Sequence, residues 1–468
     1  MHVLKVIFIV LEVLILFNLL IFVHELGHFL AARWRGLKVE RFAIWFGKPI
    51  WKKSFNGVEY CLGCIPAGGY VSLPQMATME AIEGKTDEKA EQLPNISPLD
   101  KIIVAFAGPL FSFLLALVFA VVVMIVGRPV SESETTTTVG YVEKGGPAAE
   151  AGLLPGDKIL KVDDRTVTKF GGMGDSIAWR VVSSEGTNIT LDILRDGKEM
   201  KLIAPSRIEK TEAWERRGLR QISIEPAQSS IVAKIYTNSP AAAAGLKPGD
   251  EIVTVNGQKI FHYGAIADLT EKNGTQPIKL AVLRGTNALT LSVTPEIPLA
   301  PTNERPRLGI LWLHGGKTAL SHPGAIEQVR GSLNAMISTF GALFSSKTDI
   351  KPQHLGGAIK IISVYYLLFE SENGWRLALW FSVLMNVNLA LLNMLPFPVL
   401  DGGHITLAIF EKLFRRPVSA KLLGYIQSGC AVVLIGFMLY IAFYDVQELP
   451  WKQKQQELTF APKPVPAK

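Results

Sequence analysis

The chain has 468 residues, too many for one hydrophobic core, so it divides into several domains. A hydrophobic fraction of 49% and a positive mean hydropathy of +0.27 point to a membrane protein with a substantial water-facing part. The formal charge of +7 sits largely on the flanks of apolar segments, which implies anionic lipid and not nucleic acid as the partner surface.

The first element is an apolar run, Val6 to Val23, whose one charged residue is Glu12. It leads directly into His24-Glu25-Leu26-Gly27-His28, an H-E-x-x-H motif. Two imidazoles four residues apart on a helix share a face, so both can reach one zinc ion, and the intervening Glu is placed to handle a water proton. Ionisable groups at membrane depth are costly and by default functional. A plain signal-anchor helix would leave them unexplained. A removable signal peptide fits less well, because the run is too long, its basic flank is only Lys5 and no small-residue cleavage site precedes the motif.

Three further runs lack ionisable residues, Ile102–Val126, Leu377–Leu400 and Leu422–Tyr444, and each exceeds the roughly 20 residues a spanning helix needs. Four spans put both termini on one side. Arg33, Arg35, Lys38, Arg41, Lys48, Lys52 and Lys53 follow the first span, and Lys412, Arg415, Arg416 and Lys421 connect the last two. By the positive-inside rule both connections are cytoplasmic, so the termini and the 127–376 insert lie outside, in the periplasm of a Gram-negative cell. Cys61, Cys64 and Cys430 all fall outside that insert, so no disulfide framework holds it. Cys61 and Cys64 have no second pair to complete a zinc site and read as space-filling strand residues.

Within the insert, Gly146-Pro147-Ala148-Ala149-Glu150-Ala151-Gly152-Leu153-Leu154-Pro155-Gly156-Asp157 recurs as Ser239-Pro240-Ala241-Ala242-Ala243-Ala244-Gly245-Leu246-Lys247-Pro248-Gly249-Asp250. Each copy predicts a short helix stopped by glycine, a tight turn and then a strand. The pattern resembles bacterial PDZ domains. PDZ domains add a peptide to a sheet edge, and this pair either does so or serves as a rigid spacer. A Pro-rich linker near Leu299–Pro306 follows. Beyond it Ile326, Val329, Leu333, Met336, Ile337, Phe340, Leu343 and Phe344 make an apolar helical stripe that packs or lies on the bilayer.

Two His leave one protein position to fill on a catalytic zinc. The extended zincin pattern fails, since Ala31 and Trp34 stand where its glycine and third His belong. A better candidate closes the third apolar run, Asn393-Met394-Leu395-Pro396-Phe397-Pro398-Val399-Leu400-Asp401-Gly402-Gly403-His404. There Pro396 and Pro398 break the helix just before Asp401, and broken backbone at membrane depth belongs where it is buried or lines a wet cavity. The topology puts Asp401 and the His pair at the same, cytoplasmic depth.

These motifs in combination resemble the site-2 protease family of intramembrane zinc metalloproteases, in particular its bacterial members with two tandem PDZ domains. The resemblance implies Zn2+, one per chain, held by His24, His28 and Asp401, with Glu25 as general base. It implies cleavage of a single-span membrane protein, an anti-sigma factor trimmed beforehand, in the bacterial inner membrane. It also implies substrate contacts from Asn388 and Asn393, whereas Asn386 is off the pattern and free to bond a neighbouring helix. The stretch Val39–Leu73 fits the family's membrane-associated sheet, with strands at Phe42–Trp51 and Val58–Leu62 and a Gly-rich turn and edge at Ala67-Gly68-Gly69-Tyr70-Val71. A helical substrate must unwind before hydrolysis, and an edge strand can satisfy its freed backbone groups, which makes Gly68, Gly69 and Tyr70 candidate substrate contacts. Ala107-Gly108-Pro109 reads as close helix packing around the metal pair. The alternative is a membrane-anchored PDZ scaffold or receptor with a structural metal site.

The expected fold is a polytopic α-helical membrane protein of four spans, with a small cytoplasmic β-sheet and two exported α+β PDZ domains. The expected boundaries are 1–36 and 101–127 for the first two spans, with the cytoplasmic sheet and loop at 37–100 between them. The PDZ domains follow at 128–224 and 225–308, and an amphipathic helical region at 309–376. The third span is 377–403, a cytoplasmic loop 404–421, the fourth span 422–446 and an exported tail 447–468.

Overall fold

The computed structural model describes residues 2–76, 96–301, 305–414, 420–449 and 458–462. Arg415 and Arg416, most of the tail and part of the Pro-rich linker lie outside these residues. The chain forms two compact units, one comprising the N-terminal and C-terminal helices and one comprising the repeat.

In the first unit α1 covers His2–Trp34 and ends where Gly36 adopts a φ of +74° and Leu37 bonds back to the Ala32 carbonyl. Four strands follow, β1 Arg41–Phe46, β2 Trp51–Phe55, β3 Val58–Leu62 and β4 Ile65–Ser72, in the spatial order β2-β3-β1-β4. β1 runs parallel to β3, and the other pairs are antiparallel. Helix α2 (Pro98–Val126) starts with a Ser97 cap and Pro98 in its first turn. Phe42, Val58 and Val71 of the sheet share a core with Ala31, Ala32, Val104 and Ala105 of the helices, which seats the sheet on both. Each buried Val or Phe of that size contributes roughly 1.5–3 kcal/mol.

Two strand expectations need correction. Phe42–Trp51 is not one strand, because Trp45 (φ +70°) and Gly47 (φ +89°) turn the chain so that β2 can pair with β3. Gly68, Gly69 and Tyr70 are no turn but the middle of the edge strand β4, where Gly69 and Tyr70 pair with Ile44 and Ala43 of β1 and Gly68 (φ +72°) sits at a register shift. Cys61 is buried in β3, whereas Cys64 lies beyond it and is exposed.

In the second unit the two repeat copies fold alike. The first has strands β5 Val139–Val142, β6 Lys158–Val162, β7 Asn188–Arg195, β8 Lys198–Pro205 and β9 Ile224–Pro226, with helix α3 at Ile177–Val182. The second has β10 Ser230–Ile235, β11 Glu251–Val255, β12 Ile278–Arg284, β13 Asn287–Val293 and β14 Ile310–Trp312, with helix α4 at Tyr263–Asn273. Both expected domain ends fall short. β9 pairs with β5 as far as Pro226, and β14 pairs with β10 well past residue 308, so each domain closes on a late strand whose partner no local pattern reveals. The short helices Pro147–Glu150 and Pro240–Ala243 end at Gly152 and Gly245, at φ +79° and +78°, as the sequence predicts. Asp157 and Asp250 are buried at equivalent turns, each held by a two-bond guanidinium contact from Arg195 or Arg284 at 2.6–2.8 Å.

Helix α5 (Ala325–Phe344) carries the predicted stripe, but its buried face is offset. Gln328, Val329 and Ser332 are buried, while Ile326, Ile337 and Phe344 are exposed. After α6 (Ala358–Glu370) and α7 (Gly374–Asn393), the chain turns through residues 394–400 and resumes as α8 (Asp401–Phe414), followed by α9 (Ala420–Gln447). The third apolar helix therefore stops at Asn393 and not at 403, and most of the expected 404–421 loop is helix. Pro396 and Pro398 interrupt the backbone ladder. Glycine lets α8 tuck beneath the turn, since a Cβ on Gly402 would lie 2.2 Å from the Met394 carbonyl oxygen. Among the described residues four helices are long and apolar enough to cross a membrane, Leu4–Trp34, Pro98–Val126, Gly374–Asn393 and Leu422–Gln447.

Candidate metal centre

Helical spacing places His24 and His28 on one face of α1, and the α7–α8 break delivers Asp401 at the first position of α8 to the same point. His24 Nε2 lies 3.2 Å from Asp401 Oδ2, His28 Nε2 lies 3.4 Å from Asp401 Oδ1, and the two Nε2 atoms are 3.3 Å apart. All three residues are buried, and among the described residues they form the one His/Cys/Asp/Glu group with metal-ligand spacing. Both rings are aimed from behind. His28 Nδ1 donates to the Val104 carbonyl at 2.8 Å, which leaves the Nε2 lone pair pointing at Asp401, and His24 Nδ1 is 2.9 Å from Ser112 Oγ. Two imidazole nitrogens and one carboxylate are a catalytic zinc donor set with a position left open. The fit is supported by Asp401 Oδ2, a buried oxygen that no hydrogen bond reaches.

Close backbone approach builds the walls. A Cβ on Gly108 would fall 2.2 Å from His28 Nε2, and one on Gly27 2.4 Å from the Ala107 carbonyl oxygen, so α1 and α2 meet glycine to backbone as the Ala107-Gly108-Pro109 reading requires. Gly69 of β4 stands near as well, with its would-be Cβ 3.0 Å from Glu25 Cγ. Glu25 is buried and lines a small cavity of about 10 Å³ together with His28, Asp401 and His404. That is room for about one water.

The other candidate residues divide. Asn393 Nδ2 lies 3.5 Å from His24 Nε2, at the rim of the centre. Asn388 is half-buried with its Oδ1 free of any hydrogen bond, and Asn386 bonds its own helix at the Ser382 carbonyl and not a neighbour. Gly68 and Tyr70 turn away from Glu25. Gly68 is pressed against the Phe46 ring, and Tyr70 stacks on that ring and accepts from Arg41. Sequence reasoning missed Ser112, the Val104 carbonyl and His404. Ser112 stands in an otherwise apolar helix, and that isolation was its one signal. His404 follows Asp401 by three residues, a spacing that keeps both on one helix face.

Fold and site together define a zinc metalloprotease whose candidate donors sit on and between helices of membrane-spanning length. The chain belongs to peptidase family M50, whose model matches residues 12–437, and is of the site-2 type. It is similar over nearly its whole length to Protease RseP of Yersinia pestis, at 30% identity over 461 residues covering 91% of this chain and 96% of that protein. A putative zinc metalloprotease of Xylella fastidiosa strain 9a5c is 29% identical over 462 residues, 92% of this chain and 96% of the relative. The regulator of sigma-E protease RseP of Escherichia coli K12 is 28% identical over 461 residues, 92% and 97% respectively.

Proposed function

We propose that the protein binds one zinc per chain and hydrolyses a peptide bond of a single-span membrane protein, within or near its transmembrane segment, in a bacterial inner membrane. The observation that carries this is the convergence of His24, His28, Asp401 and Glu25 in a buried pocket beside the edge strand β4. Zinc, when bound, supplies Lewis-acid polarisation of the scissile carbonyl and of an attacking water. Glu25 accepts the proton of that water and hands it to the leaving nitrogen. Ser112 and the Val104 carbonyl keep both imidazoles aimed through the cycle. β4 takes the unwound substrate as an added strand, with Gly69 keeping the added backbone close to Glu25. Asn388 and Asn393 supply amide partners to freed substrate carbonyls and N–H groups.

Relatives named as regulators of a sigma factor support an anti-sigma factor as the substrate class, with cleavage releasing a cytoplasmic fragment. The basic flanks of the first and third spans support a periplasmic placement of the repeat and both termini.

Glu25→Gln keeps the side chain's size and removes the base. It is expected to retain zinc at wild-type stoichiometry and to lower turnover of a model single-span substrate by about 10²–10⁴-fold. Substantial residual cleavage with zinc retained sinks the assignment of the base. In the same assay Asn388→Ala is expected to slow cleavage about five- to hundredfold with zinc unchanged. An unchanged rate with lower thermal stability would make Asn388 a packing residue.

A further inference from the structure

The two repeat copies differ at the place where a PDZ fold receives a ligand. In the first copy a groove of about 450 Å³ runs between α3 and β9, walled by Phe170, Ile177, Val181, Ile222 and Ile224. Arg220 closes the end of this groove nearest the C-terminus of α3. Its guanidinium donates to the carbonyls of Ser184 and Gly186 in the loop after α3, and through Nε and Nη2 to Asp349 Oδ2 at 3.0 and 2.7 Å. Arg220 is 7% exposed, so this is a charge held out of water by one carboxylate from a distant part of the chain. The segment bearing Asp349 follows α5 and has two other anchors on the same domain, Ser345 to Glu185 at 3.0 Å and His354 to the Arg217 carbonyl at 2.9 Å.

The register of the two copies makes the position of Arg220 meaningful. Ile224 opposes Val142 as Ile310 opposes Ile235, so Ser223 corresponds to Gly309, and both take positive φ, +57° and +75°. Arg220 then corresponds to Pro306, which has no side-chain donor. The second copy also has an aromatic stack between its helix and its late strand. Tyr263 at the start of α4 lies 5.6 Å from Trp312 of β14, ring to ring and nearly parallel at 9°.

We infer that Arg220 is the carboxylate-recognising residue of the first repeat domain and that Asp349 is its resident internal ligand, so that a peptide with an apolar last residue and a free C-terminal carboxylate binds the groove by displacing the 345–354 segment. This rests on reading the repeat as PDZ domains. The apolar walls take the side chain, the unpaired edge of β9 takes the peptide backbone, and the guanidinium takes the charge that Asp349 supplies in its absence. A two-bond guanidinium–carboxylate contact is specific to charge and geometry, so an amidated peptide end cannot compete on equal terms.

The test uses the full-length protein in detergent and a fluorescent decapeptide ending in valine, as the free acid and as the amide, with binding read by anisotropy. Asp349→Asn removes the competing charge at constant shape and is expected to tighten free-acid binding about tenfold, leaving the amide unchanged. Arg220→Gln should abolish the difference between acid and amide, and Arg220→Lys, which keeps the charge, should restore part of it. Ser345→Ala, which loosens the same segment without touching Arg220, should change binding much less than Asp349→Asn. Amide exchange at residues 345–354 should rise when the free-acid peptide is added to the wild type. Equal tightening of acid and amide in Asp349→Asn, or no tightening of either, overturns the competition. If neither peptide binds the wild type or Asp349→Asn, the peptide-binding reading of the domain fails as well, whereas cleavage chemistry is judged separately by Glu25→Gln.

Discussion

Buried carboxylates in the repeat and at the metal centre are handled in opposite ways. Asp157 and Asp250, at 2% and 1% exposure, each receive two guanidinium bonds and a backbone amide, from Leu154 or Lys247 at 2.8 Å. Asp401 is similarly buried yet faces two imidazole nitrogens and keeps an oxygen outside any hydrogen bond. A buried polar group left unsatisfied carries a cost, and a metal-ligand position is one reason to retain it. The repeat carboxylates fix turns. The Asp401 carboxylate instead belongs to the His24–His28 group whose spacing suits a metal ion.

This contrast is open to attack by substitution. Asp157→Ala leaves Arg195 without its partner and one turn unpinned, and is expected to cost roughly 2–4 kcal/mol of stability in the repeat, discounted because Arg195 keeps some solvent. Zinc content and the rate on a model substrate should stay at wild-type values once folded protein is counted. A loss of zinc in this variant would erase the distinction between the two kinds of carboxylate. Ser112→Ala is the opposite experiment. It should leave the melting temperature nearly unchanged and weaken zinc binding about 10–100-fold, because His24 loses the contact that aims its ring. Competition with a chelator measures it, and full zinc affinity in the variant would reduce Ser112 to packing.

The smallest effect is expected from pH. His262 caps α4 by accepting from the Gly264 N–H at 3.0 Å, packed between Tyr141 and Tyr263 and near His314. Burial pushes its pKa down to about 4. The unfolded chain then binds a proton near pH 6.5 that the folded domain refuses, so stability is fully present above about 6.5 and falls as pH drops toward 4. His262→Gln should flatten that part of a melting-temperature profile. An identical acid slope in the variant would place the titration elsewhere.

The sequence carried the three candidate ligands in plain view because each rests on a local rule. His24 and His28 need only helical spacing, and Asp401 needs only two prolines ahead of it. The PDZ-like copies were legible because Gly152 and Gly245 must take conformations that few other residues adopt. What stayed hidden depends on which helix meets which. Ser112 and the Val104 carbonyl acquire their roles from the packing of α2 on α1, and a lone serine in the apolar part of α2 does not say which helix it meets. The strand boundaries and both late closing strands were hidden for the same reason, since pairing partners lie dozens of residues away. The 404–414 helix is hard to see in the sequence because it follows directly on the Pro396–Pro398 break and carries only about three turns of apolar spacing.

Gly108 has a further consequence. The point where its side chain would begin lies closer to His28 Nε2 than two unbonded atoms can approach. A single methyl at position 108 would therefore contend for the same space as that imidazole nitrogen, an inhibitor encoded in the chain itself. Hydrogen, the smallest substituent available, is what keeps that inhibitor unwritten.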